Sequence, residues 1–438
     1  MQKKLSLEKK MQSMDVILID LIMVKVFILD YFGIVLATSV LISALITFRL
    51  VCWLRKINKT LLISLGLLFS FYLVSLLLGV KPGTAIYNFA IMYMPLVMTV
   101  YFALMVRLNR NTFREAAKSL FPFFNIYLVL NLIIVQLQCR LHILVALNPG
   151  TADTTAATYW WDASSGLFEF FGTQSLCLYT IFVILYDIWY RERVCSDKKK
   201  GNLTILIVAL IITSLFTALQ NDNKAFFIMS PVAILVWFFT TVYKSKSRKT
   251  RLEILLGCII ICVVSLSIAL SPLGGGILEN IFNEIMLALS SLNNSTLVQG
   301  SMERIAIIPY AFTMPSTWGL GTGVGLNSFH NEGYLGFAHF GQTSMGSILV
   351  VCGIWFTILL CIIYISQLLS IGNVCMSRNN RGKIIAISFL FLLVVGYSTP
   401  LQNMSQCFCF ILIVGAYGLL WEHDCDRLKK APFAAGKL

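Results

Sequence analysis

Long apolar stretches, separated by short polar connectors, fill almost the whole chain. They run to about twenty residues, the length an α-helix needs to cross a hydrocarbon core. Transmembrane β-strands would be shorter and would alternate in polarity over about ten residues, a pattern this chain lacks. The first apolar region, 14–54, is too long for one span, and the run Asp30-Tyr31-Phe32-Gly33 predicts a break into two helices. The first of these carries Asp20 and Lys25. Either it crosses the membrane with its charges turned to a cavity or a partner, or it lies on the surface as an amphipathic helix. Further spans are predicted near 60–80, 84–106, 120–138, 167–190, 203–220, 225–243, 252–271, 344–368, 384–398 and 404–421. The expectation is an all-α polytopic membrane protein of about twelve transmembrane helices, forming one membrane unit over 1–438. No segment repeats with a fixed period.

Composition agrees. Of 438 residues, 58% are hydrophobic and 12% charged, with mean hydropathy +0.81; soluble domains carry roughly a quarter charged residues. The net charge of +14 would suit nucleic acid, but its distribution argues against that partner. With these spans, 28 of the 34 Lys and Arg fall on one side, in 2–12, 55–59, 107–118, 191–200, 244–251, 378–383 and the tail after Trp421. That asymmetry is the positive-inside pattern and makes those segments, and both termini, cytoplasmic; some attraction to anionic membrane lipids comes with it. No leader with a small-residue cleavage site opens the chain, so the first span is expected to be retained. Most of the twelve cysteines lie inside apolar spans as small hydrophobes. No paired CxxC motif is present, so no metal site is expected.

Two extracytoplasmic loops stand out. One, 139–166, begins near Arg140 and ends in an aromatic patch, Tyr159, Trp160 and Trp161. These rings suit the headgroup belt, and could equally stack on sugar rings. The other, 272–343, lies between spans 9 and 10. Its first half places Leu278, Ile281, Phe282, Ile285 and Leu289 at helical spacing with acids opposite, an amphipathic helix lying on the membrane or packed on the protein.

The second half carries the candidate chemistry. Arg304 opens a short helical run that Pro309 is expected to stop. Its forked guanidinium suits phosphate oxygens, with a surface ion pair or headgroup anchor as the plain alternative. Gly319, Gly321, Gly323 and Gly325 let backbone approach a ligand closely, although alternating glycines also occur in any tight loop. No Gly-Lys-Ser/Thr follows, so this is not a nucleotide P-loop. His330, followed by Asn331 and Glu332, has the pKa range of a general base; alone it would read as a solvated bystander. Lys224, in the tight turn Asn221-Asp222-Asn223-Lys224, is one of few outward cations.

Taken together, Arg304, Pro315, Gly319, Gly321, His330, Asn331, Gly341 and Gly346 resemble the late periplasmic loop of the O-antigen polymerase and O-antigen ligase superfamily of bacterial envelope polysaccharide assembly. Asn223-Lys224-Ala225 stands where that family often has Ser-Arg-Gly, so a lysine replaces the arginine. The resemblance in topology covers nearly the whole chain; at residue level it covers about sixty positions.

The resemblance implies a multi-pass protein of the bacterial inner membrane, its active site on the extracytoplasmic face. It implies transfer of a glycan from undecaprenyl pyrophosphate to a hydroxyl, inverting and without metal, nucleotide or other cofactor. In that reading Arg304 and Lys224 stabilise the departing pyrophosphate. His330 deprotonates the acceptor, with Asn331 or Glu332 orienting it. Gly319, Gly321, Gly323, Arg140, Trp160 and Trp161 complete the substrate-binding set. A polymerase would use a second lipid-linked repeat unit as acceptor, for O-antigen or capsule; a ligase would use a lipid A core. A flippase and a chain-length regulator are the protein partners implied. From another class, a transporter remains the alternative; it would place its polar residues in broken helices near the bilayer midplane, whereas these spans are nearly free of charge.

Overall fold

The computed structural model describes residues 2–108, 115, 117–145, 164–169, 172–221, 223–237, 256, 301–329, 343–374 and 380–430. Among them every regular element is helical. The α-helices are α1 Gln2–Phe27, α2 Val35–Cys52, α3 Lys59–Ser75, α4 Pro82–Leu108, α5 Phe121–Leu141, α6 Thr173–Arg193, α7 Asp197–Gln220, α8 Lys224–Trp237, α9 Ser301–Thr313, α10 Ser344–Ile371, α11 Arg381–Tyr397 and α12 Met404–Lys430. Seven helices among the described residues are long and apolar enough to cross a membrane: Val35–Cys52, Lys59–Leu78, Pro82–Leu108, Phe121–Leu141, Asp197–Gln220, Ser344–Ile371 and Met404–Trp421. By the length and composition of these helices, the protein is an α-helical membrane protein. Apart from residue 256, the expected span at 252–271 lies outside the described residues, as does the amphipathic helix of 278–289.

The break foreseen near Asp30 is a 3-10 turn, Leu29–Phe32, closed by Gly33 at φ 74°. Glycine takes this left-handed backbone without the Cβ penalty. The two charges singled out in α1 are placed differently. Lys25 is fully buried and its Nζ lies 2.7 Å from Asp30 Oδ2, while Asp20 is exposed.

Helices α6 and α12 form the centre and pack on each other more extensively than any other pair. Every residue from Gln174 to Asp187 is buried, as expected for a helix surrounded by others rather than by solvent. At the periphery, α2 and α3 keep most of their apolar side chains on the outside. Such a surface suits lipid, not water.

The helix ends sort into two groups. At one end Arg107 donates to the Lys56 carbonyl, and Arg191 Nε to Thr204 Oγ1 at 2.7 Å. This end gathers the basic connectors. At the other end Lys81 N donates to Gly325 O at 2.8 Å, Asn221 Nδ2 to Ser164 O at 3.0 Å, and Ser344 N to Ser398 O at 2.9 Å. The candidate chemistry lies there.

Candidate functional site at the loop end of the bundle

Helix α9 lies against α10 and α11. Ile307 is fully buried and packs over Gly346, where an added Cβ would come within 2.6 Å of it. One turn earlier, the half-buried Arg304 holds its guanidinium carbon 5.4 Å from the centre of the Tyr397 ring, at the end of α11. The expected stop at Pro309 is corrected by the structure, since α9 continues through Pro309 to Thr313. Pro309 is exposed, so the cost is one missing backbone hydrogen bond, and burial of Ile307 and Ala311 on the opposite face holds the helix together.

After a 3-10 turn, Pro315–Trp318, the glycine segment sinks into the bundle. Helix α10 is broken at Gly353 (φ 78°, ψ 174°), which frees carbonyls of the preceding turn. Thr322 N donates to Val350 O at 2.8 Å and Gly323 N to Val351 O at 3.0 Å. The inserted segment thus supplies the donors that the broken helix lacks, which buried backbone requires. Contact is backbone to backbone: an added Cβ on Gly321 would lie 2.5 Å from Val351 O, and one on Gly325 2.1 Å from Gly79 O. Close approach of chain to chain therefore accounts for glycine at Gly321 and Gly325, the left-handed φ of 104° accounts for it at Gly323, and Gly319 is the exposed member. From the far side, the fully buried Asn88 of α4 donates to Val324 O at 2.9 Å and Asn327 O at 2.8 Å. It also accepts from Phe329 N at 3.0 Å.

Of the other candidates, α8 begins at Lys224 and packs on α11. Its start and Tyr397 are therefore at the same end of neighbouring antiparallel helices. Arg140 is exposed at the end of α5. His330, Asn331, Glu332, Gly341, Trp160 and Trp161 lie outside the described residues.

Sequence reasoning missed a second polar cluster at this end. Glu169, in the non-helical segment before α6, is buried and accepts from Asn403 Nδ2 at 2.7 Å. Beside it are the Lys25–Asp30 pair and Ser405, which donates to Asp30 Oδ2. Burial pushes the Glu169 carboxyl up to about 7, and the Asp30 charge adds to the rise; Lys25 and the hydrogen bond from Asn403 oppose it. A lone acid inside an apolar run, Leu167-Phe168-Glu169-Phe170-Phe171, was the available signal.

An apolar cleft of about 250 Å³ opens between α2, α3 and α4, lined by Leu50, Leu65, Leu68, Phe69, Phe89 and Leu96 among others. It ends near Tyr72, whose hydroxyl donates to Ala85 O at 2.5 Å. One turn further, Ser75 Oγ accepts from Val324 N at 3.2 Å. The cleft thus leads up to the anchor of the glycine segment. No protein-family model matches the chain, and no curated protein matches it either.

Proposed function

We propose that the protein is a glycosyltransferase that uses a lipid-pyrophosphate-linked glycan as donor, most simply a repeat-unit polymerase of a bacterial envelope polysaccharide. The observation that carries this reading is the grouping, at the bundle end opposite the basic connectors, of Arg304, the start of the Lys224 helix and the glycine segment, at the head of an apolar cleft. An amphiphilic donor needs that combination: a hydrocarbon groove for the tail and cations at the interface for the pyrophosphate. By positive-inside charge this end is extracytoplasmic.

In the proposed reaction the acceptor hydroxyl attacks the anomeric carbon opposite the leaving group, and the bond to the pyrophosphate oxygen breaks. Undecaprenyl pyrophosphate departs with the bonding pair, so the centre inverts. Arg304 and Lys224 stabilise the charge that grows on the pyrophosphate. His330 takes the hydroxyl proton, with Asn331 or Glu332 holding its ring. Arg304→Ala should abolish polymer formation by purified protein given lipid-linked repeat units, and Arg304→Lys should recover little because the fork is lost. Normal turnover by Arg304→Ala, with protein present at wild-type level, would remove Arg304 from the site.

A transporter is the second reading, and one observation favours it: α10 is broken at Gly353, as helices that bind cargo often are. Purified protein that forms no polymer but moves a lipid-linked glycan across a vesicle membrane would decide for it.

A further inference from the structure

We propose that Glu169 is a positioning residue whose proton holds the turn 398–403, and through it the Tyr397–Arg304 pair, in working geometry. This rests on the glycosyltransferase reading for its link to turnover, but not for the proton site itself.

Lys25 from α1, Asp30 from the turn that follows and Glu169 from the segment before α6 put two carboxyls beside one ammonium, all buried. Among the described residues, the remaining groups facing Glu169 are neutral: Asn403, Ser175 of α6 and the Cys409 thiol of α12. The aromatic rings of Phe27, Tyr127, Phe168, Tyr179 and Phe408 pack together alongside. In such surroundings a net charge is costly, so one carboxyl keeps its proton. Lys25 and Ser405 both serve Asp30, which makes Asp30 the anion and Glu169 the acid. One Asp30 oxygen, Oδ1, has no hydrogen-bond partner among the described residues, and Lys25 only partly offsets the repulsion that an ionised Glu169 would meet. The position of Glu169's equilibrium near neutrality agrees.

The consequence travels through hydrogen bonds. Asn403 Nδ2 is held by Glu169 at 2.7 Å, while Asn403 Oδ1 caps α12 by accepting from Gln406 N at 2.9 Å. Gln406 Oε1 in turn accepts from Thr399 N at 2.9 Å. On its other side the turn is fixed to α10, with Leu401 N on Ser344 Oγ at 3.0 Å and Gln402 Nε2 on Ser347 Oγ at 2.5 Å. Tyr397, the ring under Arg304, enters this turn directly. When Glu169 ionises, repulsion from Asp30 pulls on the non-helical segment and on Asn403, and Arg304 loses its fixed support.

The test uses full-length protein in lipid vesicles. Infrared difference spectra between pH 6 and 8.5 should show loss of a protonated-carboxyl band in wild type that Glu169→Gln lacks. Turnover of a lipid-linked repeat unit by wild type should fall at least about 10-fold between pH 7 and 8.5, chiefly through KM for the donor. Glu169→Gln keeps the neutral shape and should lose that alkaline fall, whereas Glu169→Ala should be impaired at every pH. A wild-type carboxyl band that survives in Glu169→Gln, or parallel alkaline limbs in the two proteins, would overturn the proposal. Should wild type make no polymer at all, the glycosyltransferase reading fails. The infrared band then still decides the proton site.

Discussion

Replacing Gly353 by alanine tests whether the glycine segment is truly seated in the break of α10. At φ 78° and ψ 174° the backbone occupies a region that is essentially glycine-only, which costs another residue about 1–3 kcal/mol. The added Cβ would also stand 2.1 Å from Gly319 O and 2.7 Å from Gly321 N. Nothing there is a flexible side-chain end, so the segment must back away. Withdrawal breaks the Thr322–Val350 and Gly323–Val351 bonds, each worth about 1 kcal/mol net and more where a buried carbonyl is left bare. Together these come to on the order of 5 kcal/mol. For a chain this long the size scaling gives roughly 1–2 °C per kcal/mol, so thermal unfolding in detergent should shift down by ~5 °C or more. Gly66→Ala is the control. It lies inside α3, where an added Cβ meets nothing within 4 Å, and alanine favours helix by up to about 1 kcal/mol. Its midpoint should hold or rise slightly. If Gly353→Ala melts within about 1 °C of wild type, the segment does not rely on the break and the packing account is wrong.

Two further outcomes are expected. Lys25→Met leaves the buried Asp30 carboxylate without its cation and should destabilise by about 3–5 kcal/mol, whereas Lys25→Met combined with Asp30→Asn should restore most of the loss; equal melting of the single and double variants would show that the pair contributes nothing specific. His330→Ala should slow glycan transfer by about 10²–10⁴-fold with little change in donor binding, while His339→Ala stays near wild type; a fully active His330→Ala beside an inactive Glu332→Gln would transfer the base role to Glu332.

Much of the helical framework was legible along the chain. Apolar continuity located the spans now seen as α3, α4, α5, α7, α10 and α12, and Asp30-Tyr31-Phe32-Gly33 marked the break between α1 and α2. Burial in a membrane helix is a property of consecutive residues, so a linear reading captures it. The ends of the helices are another matter. Pro309 reads locally as a stop, but α9 continues because Ile307 and Ala311 are buried by α10 and α11. The glycines of 319–325 read as a ligand loop, and only the tertiary structure reveals that Gly321 packs on the backbone at the break of α10 and Gly325 on the backbone of Gly79. Glu169 meets Asn403 across 234 residues, and Asp30 meets Ser405 across 375. No periodicity or spacing encodes such pairings. They follow from which helix ends the packing of α1, α6 and α12 brings together, and buried polar groups must then find partners wherever that packing puts them.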